Sequence, residues 1–250
     1  MVIIGMLTGA FFAAQEIILS AKVRAQARQI EELNSAVASF IDKFNCLPGD
    51  CVNAESYSLG TDGDYGNNGN GSKIIGDASV SPPDKDEQTN FWYHLSTAGL
   101  LDKTYTPGLA IGISTPATKM PTDGGVTAGV YIWGKDYLGN LNMSAVKNAW
   151  SIAASDNSGA FHPKIAYLFD SKIDDGMPQA GNVQASGPMQ TTICVGMICA
   201  DYAGEFSTTN GTGDSSACID DTSYTTPEYN LDAPSPGQAT RCALVIKTGF

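Results

Sequence analysis

Two sets of side chains in this chain have types and spacings suited to chemistry: the cysteines and the clustered acids. Cys46, Cys51, Cys194, Cys199, Cys218 and Cys242 are even in number, which fits disulfides and an oxidising compartment. Sequence alone does not choose among the pairings six cysteines allow. Cys46 and Cys51 flank a Leu-Pro-Gly-Asp turn and are close enough for a local bond, Cys194 and Cys199 form a second close pair, and Cys218 falls to Cys242 by elimination. The two C-x4-C pairs are spaced more widely than the usual zinc ligands. Among the acids, the loop GTDGDYGNNGNG places Asp62, Asp64, Asn68 and Asn70 where they could offer oxygens to calcium, although no complete EF-hand spacing with a terminal glutamate is present. A second acidic group, Asp170, Asp174 and Asp175, precedes Gly176 and Pro178 and could bind a cation or cap local backbone, capping being the plainer reading. No cofactor other than calcium is expected.

The remaining chemistry is sparse. There are only two histidines, His94 and His162, and no H-E-x-x-H, G-x-S-x-G or phosphate-binding glycine loop. Ser144 and Lys147 match S-x-x-K without its companion motifs. No enzymatic activity is expected, and a hydrolase relying on Ser144 or His162 is the weakest reading. The net charge of −12, with 14 Lys and Arg and no basic cluster, argues against nucleic acid as a partner.

The elements that must position these residues fall into two regions, a helix over 1–45 and a globular head over 46–250. Met1 to Ala14 carries no charge, Gln15 and Glu16 interrupt it, Ile17 to Leu19 resume it, and no proline occurs before Pro48. Val2, Ile3, Ile4, Gly5, Leu7, Gly9, Phe11, Phe12, Ile17 and Ile18 make the first half a candidate for lipid or helix packing, with Gly5 and Gly9 at close-packing spacing. Fourteen uncharged residues rise only ~21 Å against a hydrocarbon core of ~30 Å, so the span reads as truncated. Val23, Ile30, Leu33, Val37, Phe40, Ile41 and Phe44 then form an apolar stripe that wants a globular body on one side. Lys22, Arg24 and Arg28 follow the apolar run, a charge order that by itself favours a cytoplasmic head and conflicts with the cysteines. In the head, 90–101 reads as a short helix, 129–134 and 242–247 as strands, and 164–169 as a strand or the start of a helix. The composition, with 27 glycines and only 16% charged residues, suits an α+β fold: a long N-terminal helix packed on an antiparallel sheet, with long loops.

The run VIIGMLTGAFFAAQEIILSAKVRAQARQIEELNSAVASFIDKFNCLPGD, with later echoes in NFWYHLSTAGLL and DSKIDDGMPQAGNVQA, resembles type IV prepilins and type II secretion pseudopilins. The resemblance implies a structural subunit of a type IV pilus or type II secretion pseudopilus that assembles through its N-terminal hydrophobic helix. It implies partners in homo- or hetero-oligomeric filaments, an inner-membrane assembly machinery, and a prepilin peptidase followed by N-terminal methylation. It places the head in the periplasm, on the bacterial inner membrane before assembly, and then in a filament at the periplasm or bacterial surface. The leader, its cleavage-site glycine, the mature N-terminal phenylalanine and the early glutamate of that family are absent here. A membrane-tethered extracellular adhesion or binding module is the alternative expectation.

Overall fold

The computed structural model describes residues 2–60, 68–76, 86–135, 146–155, 159–186, 218–220, 228–232 and 242–250. Helix α1 spans Val2–Phe44. Its sequence past Gly9 is rich in Ala, Gln, Glu, Leu, Lys and Arg and holds neither Gly nor Pro, so nothing interrupts the backbone ladder. It stops where Asn45 turns left-handed (φ 55°) and donates its N–H to the Ile41 carbonyl at 2.7 Å. Pro48, three residues on, cannot continue a helix.

The buried stripe of α1 is Val23, Gln26, Ile30, Leu33, Val37 and Phe40, alternating steps of three and four, with Ile41 and Phe44 packed at its edge. Of the seven positions named for that face, Val23, Ile30, Leu33, Val37 and Phe40 are buried, and Ile41 and Phe44 are partly buried against the same core. The stripe also contains a glutamine. Gln26 is fully buried; its Oε1 accepts from the Thr118 hydroxyl (2.9 Å) and the Lys119 N–H (2.7 Å). About two turns further along, Asn34 Oδ1 accepts from the Trp150 indole N–H at 2.8 Å. These two polar ties fix the rotation and height of α1 on the body, which apolar contact alone leaves loosely specified.

The sheet has four antiparallel strands in the order β1 (Ala128–Gly134), β2 (Asn148–Ala154), β6 (Ala243–Lys247), β3 (Val183–Ser186). Val130 pairs with Ile152, Trp150 with Ile246, and Val183 with Ile246 on the far side. A small ribbon, β4 (Ile219–Asp220) with β5 (Glu228–Tyr229), lies apart from it. Side chains alternate across a strand, so Val130, Ile132, Trp150, Ile152, Leu244 and Ile246 enter the main core with α1. Tyr131, Trp133, Ala149 and Val245 form a smaller cluster on the opposite face under Leu109 and Ile111. Both faces of β1 and β2 are therefore buried, which explains their near-continuous apolar runs.

Helix α2 (Asp86–Thr97) lays Phe91, Trp92 and Leu95 into the core. Trp92 stacks on Trp150, with ring centroids 5.5 Å apart and planes 24° from parallel, and Phe91 meets Trp150 edge-on at 5.7 Å. Helix α3 (Pro163–Ile173) occupies the segment that sequence left open between strand and helix. Pro163 at its first position and His162 as N-cap, Nδ1 accepting from the Lys164 N–H at 3.2 Å, decide for the helix. The expected fold class, a long helix on an antiparallel sheet, is the one observed.

The membrane expectation is corrected. Among the described residues no helix is long and apolar enough to cross a membrane. Gln15, Glu16 and Lys22 break the run before it reaches a spanning length. The transmembrane helix goes with this finding. So do the likeness to type IV prepilins and pseudopilins as an identification, and the pilus or secretion-filament role through a hydrophobic helix. The methylated filament, the inner-membrane, periplasmic and surface placement, and the membrane tether of the alternative reading fall for the same reason. What the first half of α1 displays is a solvent-facing helix surface. Ile3, Ile4, Phe11, Phe12, Ile17 and Ile18 are all more than half exposed, Gly9 has open space around it, and Val2, Gly5 and Leu7 lie in the same helix.

Candidate functional site

The end of α3 builds a place where three acidic side chains converge. Asp170 lies in the last turn of α3, Asp174 caps it, and Asp175 follows in the turn that Gly176 makes with φ 75°. One ligand oxygen from each can be chosen so that all three lie within 4.8 Å of one another. Asp170 is fully buried, Asp174 half-buried and Asp175 exposed, so the cluster runs from the core to the surface.

Each carboxylate is also held from behind. Asp170 Oδ2 accepts from the Tyr229 hydroxyl at 2.8 Å, and its Oδ1 from the Gly176 N–H at 3.2 Å. Asp174 Oδ2 accepts from the backbone N–H of Val183 (3.0 Å) and of Asn182, and Oδ1 from the Asn182 side-chain amide (3.3 Å). Asp175 Oδ1 accepts from the Met177 N–H at 2.8 Å. The acids thus cap the loop into β3, as sequence suggested, and each oxygen that takes one donor keeps a second lone pair. Gly181, at φ 66°, makes room for them: a Cβ there would sit 1.8 Å from Asp174 Oδ2 and 3.0 Å from Asp175 Oδ2.

The electrostatics follow from burial and crowding. Burial pushes the Asp170 carboxyl up to about 7, the neighbouring Asp175 and Asp174 add to this, and the hydrogen bonds from Tyr229 and Gly176 oppose it. Burial, with the charge of Asp170 beside it, raises the Tyr229 phenol well above its ordinary value. Like charges held this close favour a bound cation, which removes their repulsion. A set of hard oxygen donors suits calcium or magnesium better than a soft metal, and the cluster can coordinate a divalent ion such as calcium.

The calcium expectation is met by this cluster, which could hold a divalent ion; the loop first named for it is described only in part. Asp62 and Asp64 lie outside the described residues. Asn68 Oδ1 accepts from the Glu55 N–H (3.2 Å) and Asn70 Oδ1 from the Ser72 N–H (2.7 Å), so both oxygens organise backbone. Cys46 and Cys51 are bonded with Cα atoms 5.2 Å apart, as are Cys218 and Cys242; Cys194, Cys199 and Ser144 lie outside the described residues. His94, expected at the core or its rim, is fully buried, its Nδ1 accepting from the Gly49 N–H at 2.9 Å. Sequence reasoning missed Tyr229, which no spacing links to Asp170, and Gly181, whose only signal was a glycine before an alternating strand.

No family model, no curated protein and no solved structure matches this chain.

Proposed function

We propose that this chain is a cation-stabilised binding module without catalytic activity, its cation taken by Asp170, Asp174 and Asp175. The observation that carries the reading is the convergence of three carboxylates, one of them buried, on the loop that leads into β3. A divalent ion there ties the end of α3 to that loop and to Tyr229 on the β4–β5 ribbon, so it orders the surface around it. That surface offers a partner apolar side chains: Tyr167, Ile173, Met177 and Leu231 are all more than a third exposed. The bare first half of α1, with its exposed isoleucines and phenylalanines, favours a chain that works in contact with another protein.

The test is a thermal-shift and calorimetric titration with calcium and with magnesium, on the wild-type chain and on Asp170→Asn and Asp174→Asn. The weaker class of protein calcium sites binds the ion at ~0.1–1 mM. At one hundred times the dissociation constant the ion adds ~2.7 kcal/mol to stability. We expect a saturable rise in melting temperature for the wild type and none for either variant. No rise at about 10 mM calcium, roughly thirty-fold above the geometric middle of that range, overturns the reading.

A further inference from the structure

The exit of α1 carries a second pair of acids that the cation site does not use. Leu47-Pro48-Gly49-Asp50 makes the expected turn, with Asp50 N–H donating to the Leu47 carbonyl at 3.1 Å and Gly49 at φ 81°. Gly49 is required there, because a Cβ would fall 2.2 Å from the Glu87 carbonyl oxygen of α2. The turn is thereby pressed against the start of α2, and the Asp50 and Glu87 side chains, each 1% exposed, meet beneath it.

Residues 69–76 close over this pair. Asp50 Oδ1 accepts from the Gly71 N–H (2.6 Å) and Oδ2 from the Lys73 N–H (2.8 Å). Glu87 Oε1 accepts from the Asn70 N–H (3.1 Å) and Oε2 from the Gly76 N–H (2.8 Å). Four backbone donors of one short segment are thus spent on two carboxyl groups, and the two groups lie close enough for Asp50 to act on Glu87. Two carboxylates have no donor to offer each other, so a bond between them needs a proton. No cationic side chain among the described residues pairs with either acid. The Lys73 side chain is exposed, and only its backbone N–H takes part. A neighbouring titratable group, His94, spends its Nδ1 on the Gly49 N–H and is held neutral by burial, which lowers it to about 4.

We propose that Asp50 and Glu87 share a single proton and so form a clasp that fastens residues 69–76 over the exit of α1, and that loss of this proton to solvent base releases the segment. With the proton present the pair carries one negative charge, met by four N–H donors. Without it, two anions face each other in a buried site with no cation, and the least costly response is to lift the segment and let water in. Burial, with Asp50 alongside, pushes Glu87 up to about 9, so the clasp is closed at neutral pH and opens on the alkaline side. The opening is confined to the front of the segment, because Ile75 near its end is also held from the other direction: its carbonyl accepts from the Gly134 N–H (3.0 Å) and its N–H donates to Asn148 Oδ1 (2.8 Å).

Lys73 sits inside the fastened segment and supplies the readout. Trypsin cleavage after Lys73 in the full chain is followed at pH 7 and pH 9.5. Rates are normalised to a short reporter peptide and to cleavage after the exposed Lys172. We expect the wild-type rate at Lys73 to rise at least tenfold. In Glu87→Gln, whose amide donates to Asp50 at every pH, it should rise less than twofold. A flat wild-type profile overturns the proposal, as does an equal rise in both proteins. If Glu87→Gln does not fold, carboxyl-carbon NMR of the labelled wild type decides. A Glu87 midpoint above pH 7.5 sustains the shared proton, and a midpoint in the ordinary carboxylate range removes it.

Discussion

Glycine 181 shows how one missing side chain can decide a site. Its backbone is left-handed, and the space its Cβ would need is filled by Asp174 and Asp175. Gly112 has a similar conformation, φ 78°, but open space around it. Gly112→Ala therefore carries only the conformational penalty, ~1–2 kcal/mol. Gly181→Ala adds the displacement of Asp174 from the Asn182 and Val183 N–H groups, whose loss costs a further ~1–3 kcal/mol. Denaturant unfolding of the two variants should separate them by about that margin. Only Gly181→Ala should also diminish the calcium-induced rise in melting temperature; equal behaviour of the two would mean that Asp174 is not seated as described. At this scale the sequence was partly legible. Asp170, Asp174 and Asp175 stand out by their spacing, one helical turn and one residue apart. Their buried partner Tyr229 does not, because contact between residues 59 apart in sequence is set by the packing of the β4–β5 ribbon and not by any local pattern.

At the scale of elements, the two described disulfides staple different things. Cys46–Cys51 closes a loop of sequence separation 5 at the α1 exit, and Cys218–Cys242 one of separation 24 that ties the β4–β5 ribbon to the head of β6. Loop-closure entropy assigns ~2 kcal/mol to the first and ~3.5 kcal/mol to the second. Paired Cys→Ser replacements measured by reversible unfolding should rank in that order. The reverse ranking would show that the Leu-Pro-Gly-Asp turn depends on its bond more than chain entropy allows. The elements themselves were largely readable. The stripe from Val23 to Phe44 foretold which side of α1 meets the body, and the apolar runs at 129–134 and 242–247 foretold β1 and β6. Gln26 was not foretold, since a polar residue in a helix gives no sign that Thr118 and Lys119 wait to receive it. The first half of α1 was misread for a definable reason. Apolar residues there are plentiful enough to suggest lipid, but Gln15, Glu16 and Lys22 cut the run short of a span.

For the whole molecule, three buried titrating groups set the pH profile of stability. Glu87 binds its proton more tightly folded, at about 9, than at its ordinary 4.5. Its contribution is therefore whole below pH 4.5 and is lost as pH rises to 9. Asp170, moved from 3.8 to about 7, acts in the same direction over a lower window. His94, moved from 6.5 to about 4, acts oppositely: its burial costs stability at acid pH, and that cost fades as pH rises through 6.5. Above pH 7 only Glu87 among the three still titrates, so stability should decline between pH 7 and 9 by up to ~1.4 kcal/mol per unit. Glu87→Gln should flatten that limb and remove the same slope between pH 4.5 and 7, leaving there the opposed contributions of Asp170 and His94. Unfolding midpoints collected across the range check both halves, and an undiminished alkaline slope in the variant would assign the effect elsewhere. The seam between α2 and β2 offers an independent view of these events. Trp92 and Trp150 lie nearly parallel across it, close enough for their indole transitions to couple. The protein thus carries an unlabelled optical gauge: an exciton couplet in its circular dichroism reports whether helix and sheet remain in register, apart from any change in overall helicity.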